Sequence, residues 1–381
     1  MSEVIVYEKE YQPLGDIEWD FAGIKPAPIS MIHPYPARFI SAIPHHLIKC
    51  IGCPDGSIVF DPFCGSGTTL YESIRFGRKA VGVDINPIAC LISRVKTNPL
   101  NIREFEEAYN EVIARAHKAI GTYECVIDIP NIDHWFKPEI QKALSCLIYQ
   151  SQSIKNKNVR NAFLLAISSV IVKYSNQESD TRYAAVDNSY TVQHVFDGIT
   201  QSCKRIASCK KNESIKEYDA QVIEKNILEV KASEIKQGIG LVVTSPPYPN
   251  AYEYWLYHKY RMWWLGYDPI HVRNNEIGAR PHYQKKNGQT ADDFCRQMNQ
   301  VFDLICEKLV INGHVCVVIG RSVIKGQVID NSGMIENIAS SHNLRLVANI
   351  ERSISLVKKS FNPKYGKIKK ENILVFRGGR L

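Results

Sequence analysis

The sequence predicts an α/β protein built on a Rossmann-like parallel sheet, with a mostly helical insertion. Apolar segments at 57–61 and 80–84 have the composition of buried strands, and each is followed by a helical pattern, at 68–76 and 87–96. Alternation of strand and helix is typical of a parallel sheet. The alternation stops near residue 100 and returns near residue 220, which indicates an insertion rather than a repeat.

Five more strands are predicted after the insertion, which makes seven. They lie at 220–225, 241–245, 314–320, 344–353 and 372–377. Helices are predicted at about 291–311 and 331–342. Within the insertion the pattern is helical at 104–118, 138–150 and 161–174, whereas 175–197 is polar and rich in turn-forming residues, which predicts a loop.

Composition narrows the class of protein only modestly. The 381 residues are 45% apolar, enough for a sizeable core, and carry a net charge of +8. That charge fits a polyanionic partner, and it equally fits an ordinary basic protein. The eleven cysteines are scattered, and the single CxxC pair, Cys50 and Cys53, is not matched by a second one, which favours reduced thiols in a cytosolic protein over zinc or disulfides. Neither a signal peptide nor a membrane-spanning run is recognisable, so we expect no membrane partner.

A glycine-rich turn connects the first predicted strand to its helix. It reads Phe60-Asp61-Pro62-Phe63-Cys64-Gly65-Ser66-Gly67-Thr68-Thr69. Glycines let the backbone approach a ligand closely, and a helix that begins at the turn offers N–H groups to an anionic end. By itself such a turn equally fits tight packing, but Asp84 ends the next strand, where a carboxylate can accept hydrogen bonds from ribose hydroxyls.

A second motif, Thr244-Ser245-Pro246-Pro247-Tyr248, follows another apolar strand. Consecutive prolines have fixed φ and no amide N–H, so this loop is stiff and presents carbonyl groups. The Ser245 hydroxyl and the Pro246 carbonyl can accept hydrogen bonds from an exocyclic amine, and Tyr248 can stack on a base. A proline turn with a packed tyrosine is the simpler interpretation of this motif alone.

Together the two motifs resemble those of the S-adenosylmethionine-dependent DNA amino-methyltransferases, over about 31–98 and 220–378. The resemblance implies a seven-stranded methyltransferase sheet with a terminal antiparallel hairpin, and S-adenosylmethionine as the cofactor. In that family the Ser-Pro-Pro-Tyr spelling goes mainly with cytosine N4 and Asp-Pro-Pro-Tyr mainly with adenine N6. Methylation at cytosine C5 would need a Pro-Cys nucleophile, and the sequence has no Pro-Cys dipeptide.

The resemblance also implies roles for individual residues. Catalysis is assigned to Ser245, Pro246, Pro247 and Tyr248. Cofactor binding is assigned to His33, Pro34, Tyr35, Pro36, Asp61, Pro62, Phe63, Gly65, Ser66, Gly67, Thr68, Asp84, Ile85, Asn86, Asn226 and Thr244. Asn226 stands where relatives often carry an acid for the adenine, so this position departs from the pattern. The cofactor loop precedes the catalytic loop, which suggests a circularly permuted arrangement.

Nucleic-acid contacts are expected from Tyr252, Tyr254, Arg280, Lys358 and Lys359. An amphipathic core helix explains the first two equally well, and a solvated charged face explains the lysines. The predicted organisation is an N-terminal arm (1–30), a cofactor-binding half (31–99), a helical target-recognition insertion (100–218) and a catalytic half (219–381). Expected partners are duplex DNA and a cognate restriction endonuclease, for a monomer or dimer in a bacterial or archaeal cytoplasm.

Three alternatives remain open at this stage. One is an adenine-N6 enzyme on the same fold. Another is an RNA guanine-N2 or adenine methyltransferase, since the Pro-Pro-Tyr chemistry is shared. The third is a non-catalytic subunit that uses the fold only to bind DNA or a partner protein.

Overall fold

The computed structural model describes residues 2–124, 127–180, 182–213, 215, 219–250, 252–353 and 370–378. Twelve strands are present in these ranges. They are β1 (Glu3–Val6), β2 (Ile58–Asp61), β3 (Ala80–Asp84), β4 (Gln177–Ser179), β5 (Arg182–Ala185), β6 (Ala220–Glu224), β7 (Ile239–Thr244), β8 (Leu309–Gly320), β9 (Ser322–Ile324), β10 (Gln327–Ile329), β11 (Leu344–Ser353) and β12 (Lys370–Gly378).

Eight of these strands form one mixed sheet in the order β1-β11-β12-β8-β7-β2-β3-β6. Neighbouring strands from β6 to β8 are parallel, as the strand–helix alternation predicts. Strand β12 runs antiparallel to both β8 and β11, which gives the expected terminal hairpin. The α/β fold class is therefore confirmed.

The sheet has one strand more than the seven predicted. All seven predicted strands are present, and the additional one, β1, lies inside the segment predicted to be an N-terminal arm. It pairs antiparallel with β11, from Glu3 opposite Glu351 to Val6 opposite Ala348. Four residues at a sheet edge give too short an alternation to identify a strand from sequence. Trp19 of the same segment is fully buried.

Fourteen α-helices occur in the described ranges. They are α1 (Gln12–Gly15), α2 (Ala42–Ile51), α3 (Thr68–Arg75), α4 (Pro87–Thr97), α5 (Ile102–Ala119), α6 (Ile132–Trp135), α7 (Pro138–Ser151), α8 (Lys157–Val170), α9 (Val192–Lys211), α10 (Tyr254–Trp264), α11 (Pro269–Asn275), α12 (Arg280–Gln284), α13 (Ala291–Lys308) and α14 (Asn331–Ser341). The insertion contains α5 to α9 and is mostly helical, as predicted.

The prediction of a loop over 175–197 is wrong in part. This segment contains the β4–β5 hairpin, and α9 begins at Val192 within it. Thr191 and His194 form a capping box at the start of α9, in which the Thr191 N–H donates to His194 Nδ1 at 3.1 Å. The two strands of this hairpin have three and four residues, which is too short to show a clear period of two in a polar, turn-rich segment.

Apolar side chains cover both faces of the main sheet. Phe60 and Val242 pack with α13 and α14 in one cluster, and Val59 and Val243 pack with α2 in another. The largest cluster joins α4 and α10 to the insertion helices, so the insertion shares a core with the elements around the sheet. Within the described ranges, no helix has the length and apolarity needed to cross a membrane.

Candidate active site

The two sequence motifs meet where β2 and β7 end side by side. Thr244, the last residue of β7, donates a hydrogen bond from Oγ1 to Asp61 Oδ1 of β2 at 2.7 Å. Thr69 Oγ1, in the first turn of α3, donates to the carbonyl of Val243 at 3.1 Å, which adds a second contact between the glycine-rich segment and β7. The segment Ser245-Pro246-Pro247-Tyr248, to which the resemblance assigns catalysis and which is called the catalytic box below, therefore begins one residue after a direct contact with the glycine-rich turn.

The glycine-rich turn has the backbone that only glycine adopts easily. Gly65 has φ of +48° and Gly67 has φ of +75°, both in the left-handed region. A Cβ on Gly65 would lie 2.9 Å from the Tyr35 hydroxyl, and one on Gly67 would lie 2.2 Å from Ser93 Oγ. Helix α3 begins directly after, at Thr68, so its first N–H groups have no partner within the helix.

Asp84 at the end of β3 holds the turn in place. Its Oδ2 accepts from the Gly65 N–H at 2.9 Å, and its Oδ1 accepts from the Asn86 N–H at 2.8 Å. A carboxylate oxygen has two acceptor positions, so each oxygen can accept one further hydrogen bond from a ligand hydroxyl. Asp84 thus combines a structural contact with spare acceptor capacity.

The two asparagines of the predicted cofactor set both cap helical turns. Asn86 Oδ1 accepts from the N–H groups of Ile88 and Ala89 at the start of α4, and Ile85 precedes it in the same turn. Asn226 Oδ1 accepts from the Leu228 N–H at 3.1 Å, beyond the end of β6. Capping fixes both side chains, and it leaves their amide groups as the donors that could reach a ligand.

The segment His33-Pro34-Tyr35-Pro36 reaches the turn through Tyr35. The Tyr35 hydroxyl lies against Gly65, as the glycine geometry requires, and its ring stacks on Tyr254 with centroids 5.8 Å apart. His33 is buried and contacts Ser168 of α8, with Nε2 and Oγ 2.9 Å apart. His33 is therefore engaged by the insertion, and Tyr35 is the member of the segment at the glycine-rich turn.

Three carboxyl groups at this site have raised pKa values. Burial raises the pKa of Asp61 to about 6, against the effect of hydrogen bonds from Thr244 and Thr69. Burial also raises the pKa of Asp84 to about 6, against its two backbone donors. The pKa of Glu276 rises to about 8 because of burial, and the charges of Asp84 and Glu253 act in the same direction. A cationic ligand would favour the ionised form of each group.

A buried lysine lies behind the same turn. Lys96 of α4 is 2% exposed, and its Nζ donates to the Ser66 carbonyl at 2.7 Å. Burial lowers the pKa of Lys96 to about 7, and the neighbouring Arg38 charge acts in the same direction. Sequence reasoning did not identify this lysine, because nothing around it marks it as different from other helix residues.

The catalytic box is braced from two sides. The Tyr248 hydroxyl donates to Glu371 Oε2 at 2.9 Å. On the other side, a Cβ on Gly278 would lie 3.1 Å from the Tyr248 carbonyl and 3.3 Å from the Pro247 carbonyl. Gly278 has φ of +77°, and its own carbonyl accepts from the Asn250 N–H at 2.9 Å. The segment around Gly278 therefore backs the loop through its main chain.

Helix α10 follows the box, and its first N–H groups donate to the buried side chain of Glu276. Glu276 is 6% exposed and accepts from the N–H groups of Tyr254 and Trp255, each at 2.9 Å. These two hydrogen bonds satisfy donors at the helix start that have no partner within the helix. Glu276 was also missed from the sequence, since it lies more than twenty residues after the groups that it holds.

The predicted nucleic-acid residues are separated in the structure. Tyr254 is the first residue of α10, and Tyr252, 36% exposed, lies beside it with ring centroids 5.9 Å apart. Arg280 forms an ion pair with Glu253 at 3.6 Å. Lys358 and Lys359 lie outside the described residues. Tyr252 and Tyr254 are thus the two of this set that stand beside the catalytic box and the Tyr35 ring.

The geometry places a glycine-rich turn and a rigid proline loop at the carboxyl ends of neighbouring parallel strands, which makes this edge a candidate ligand site. Such an edge is where open α/β sheets bind nucleotides and related ligands. Residues 3–94 match the protein family described as DNA methylase. This part of the chain is therefore similar to DNA methylases, and the curated relatives below are similar to it or to further parts of the chain.

Several type II methyltransferases are similar to parts of the chain. M.MvaI of Kocuria varians and M.MjaII of Methanocaldococcus jannaschii are each 27% identical over 157 residues, 39% of this chain and 35% and 29% of their own lengths. M.BsoBI of Geobacillus stearothermophilus is 24% identical over 277 residues, 63% of this chain and 53% of its own. The matched regions thus span about half or less of these relatives.

A solved structure with some similarity is the rRNA methyltransferase aviRa from Streptomyces viridochromogenes. It aligns over 94% of both chains with 9% sequence identity and a TM-score of 0.33. A score of that size is too low to indicate a shared fold.

Proposed function

We propose that this protein is a site-specific methyltransferase that transfers a methyl group from S-adenosylmethionine to the exocyclic N4 of cytosine in duplex DNA. The observation that carries the proposal is the hydrogen bond between Thr244 and Asp61. It joins the glycine-rich turn to the catalytic box, so a cofactor at the turn and an amine at Ser245 would be neighbours. Alignment of two reactants is the main catalytic contribution that such a site offers.

The turn fits the cofactor in its donors and acceptors. Spare acceptor positions on Asp84 suit two ribose hydroxyls, and the first N–H groups of α3 suit a carboxylate. Thr68 Oγ1 is buried and has no hydrogen-bond partner among the described residues, so the turn retains an unsatisfied polar atom. We assign Tyr35 to the methionine end and Asn226 to the adenine. Bound there, S-adenosylmethionine supplies an electrophilic methyl group.

The box would handle the amine without becoming covalently modified. An exocyclic amine is a poor nucleophile because its lone pair is shared with the ring. Ser245 Oγ and the Pro246 carbonyl would accept its two N–H groups and turn the lone pair out of conjugation. Tyr248 would stack on the base, which has to leave the duplex to reach the loop. Tyr252 and Tyr254 would line the approach.

Cytosine is proposed over adenine because the box begins with Ser245 and not with aspartate. A serine hydroxyl both accepts and donates, whereas an ionised aspartate only accepts. We assign target recognition to the insertion at 100–218. Its helices pack against α4, which starts shortly after Asp84, and against α10, which starts next to the catalytic box. A cognate restriction endonuclease would be the partner of such an enzyme.

The test is to incubate the protein with S-adenosylmethionine and unmethylated plasmid DNA, digest the DNA, and identify the methylated nucleoside by mass spectrometry. N4-methylcytosine is the expected product, and sequencing of the product would give the target site. N6-methyladenine would keep the fold and mechanism but overturn the choice of base. An absence of DNA methylation, with methylation of RNA in a parallel reaction, would overturn the proposal.

A further inference from the structure

A series of hydrogen bonds connects the catalytic box to the antiparallel pair of strands β11 and β12. Tyr248 donates its hydroxyl to Glu371 Oε2 at 2.9 Å, and Glu371 Oε1 accepts from Arg352 Nη1. Arg352 and Glu371 are directly opposite each other on β11 and β12. These hydrogen bonds therefore connect the loop that carries Tyr248 to two paired strands, which are the more rigid part of the fold.

Arg352 is held on every side. Its side chain is 1% exposed, its Nε donates to the Trp19 carbonyl at 2.7 Å, and its Nη2 donates to the Asp20 carbonyl at 3.1 Å. A guanidinium with its donors fixed in this way offers the carboxylate a single geometry. Glu371 is consequently a fixed acceptor for Tyr248 and not a mobile surface acid.

Glu371 also acts electrostatically on a second tyrosine near the box. Burial raises the pKa of Tyr252, and the Glu371 charge raises it further. Burial and Glu371 likewise raise the pKa of Tyr248 well above its ordinary value, so its hydroxyl stays protonated and continues to donate. The Glu371 carboxylate therefore accepts from the Tyr248 hydroxyl and acts electrostatically on Tyr252, which would line the approach to the box.

We propose that Glu371, fixed by Arg352, is a positioning residue that sets the orientation of the Tyr248 ring for the target base. This inference rests on the proposed function, because it assumes that Tyr248 stacks on a base. A ring held only by apolar contacts can swing about χ1, whereas a hydrogen bond at its far end fixes the direction of the axis from Cβ to the hydroxyl oxygen. The effect of Glu371 on the reaction passes through one hydroxyl group.

The test is a double-mutant cycle measured under single-turnover conditions with saturating cofactor and DNA. Tyr248→Phe keeps the ring and removes the hydroxyl, and Glu371→Met removes the acceptor. Each is expected to lower the methylation rate between about tenfold and a hundredfold, as loss of alignment does. The Tyr248→Phe, Glu371→Met double variant should be no slower than the slower single variant.

Two further variants separate positioning from mere stability. Glu371→Gln loses the ion pair with Arg352 but keeps an oxygen acceptor for Tyr248, so it should retain most of the rate. Glu351→Gln removes the neighbouring cross-strand ion pair with Lys370, which does not involve Tyr248, and should leave the rate unchanged. Independent, multiplicative losses in the double variant, or equal losses in Glu371→Gln and Glu371→Met, would overturn the inference.

A measurement without turnover distinguishes failure of this inference from failure of the proposed function. With 13Cζ-tyrosine in the whole protein, the Tyr248 signal is the one absent from Tyr248→Phe. It should shift in Glu371→Met and stay in place in Glu351→Gln, whether or not DNA is methylated. An unmoved signal in Glu371→Met would refute the contact. This conclusion also holds if Tyr248→Phe is the only variant with a reduced rate.

Discussion

Asp61 and Thr244 are 183 residues apart in sequence and share a hydrogen bond of 2.7 Å. The bond is buried and links the ends of β2 and β7, which are neighbours in the sheet. Asp61 belongs to the glycine-rich segment and Thr244 directly precedes Ser245, so this hydrogen bond fixes the relative position of the two motifs. The hydrogen bond from Thr244 also lowers the pKa of Asp61, which partly offsets the increase caused by burial.

Replacing Thr244 by valine should destabilise the protein and reduce activity together. The substitution keeps the shape but removes the donor to a buried carboxylate, which costs about 1–3 kcal/mol. Chemical denaturation would measure the loss in the free energy of unfolding. Thr244→Ser keeps the hydroxyl and serves as the control, and equal stability of the serine and valine variants would contradict the assigned role.

Ser245→Ala should cut turnover severely and leave cofactor affinity nearly unchanged. Its hydroxyl is assigned to the amine and not to the cofactor, so only the methyl-transfer step loses an acceptor. Single-turnover methylation and calorimetric titration with S-adenosylhomocysteine would measure the two effects separately. Wild-type turnover in this variant would remove Ser245 from the mechanism.

Asp84→Ala should weaken cofactor binding by about 1–3 kcal/mol, the cost of leaving buried polar groups unpaired. The structure adds a complication, because Asp84 also accepts from Gly65 and Asn86. A cofactor analogue without the ribose hydroxyls separates the two roles. If Asp84 binds the ribose, the wild type should discriminate against the analogue and the variant should not. Discrimination that persists unchanged in the variant would assign Asp84 to the turn alone.

The sequence predicted the parts of the site that are encoded locally. The glycine pattern predicted the turn that has left-handed residues at Gly65 and Gly67, and strand–helix alternation predicted the parallel sheet in which β2 and β7 are neighbours. Both follow from short-range rules, namely steric freedom at glycine and the parallel sheet. The family resemblance added the cofactor and the reaction.

Residues that act across long sequence separations could not be predicted in this way. Glu276 caps a helix more than twenty residues before it, and Glu371 reaches a tyrosine 123 residues away. Neither has a local motif, and each is an ordinary acid in the sequence. Strand β1 was missed for a related reason, because its pairing partner β11 lies near the opposite end of the chain.

The pH dependence of stability offers a test of Glu276 that is independent of catalysis. In the folded protein burial raises the pKa of Glu276 from 4.5 to about 8. Between these values the folded state holds a proton that the unfolded state has released. Stability from this group is therefore present below about pH 4.5 and is lost as the pH rises through about 8.

Glu276→Gln should remove this component. We expect the free energy of unfolding of the wild type to fall relative to that of the variant between pH 6.5 and 9. The window lies above the pKa values of about 6 for Asp61 and Asp84, and above the lowered pKa values of His33 and His258. Lys96, whose pKa is lowered to about 7, titrates within the window in both proteins, so its contribution cancels in the difference. Urea denaturation at half-unit steps of pH measures the difference. A constant offset between the two proteins would mean that Glu276 is ionised throughout, with its two helix N–H donors outweighing the effect of burial.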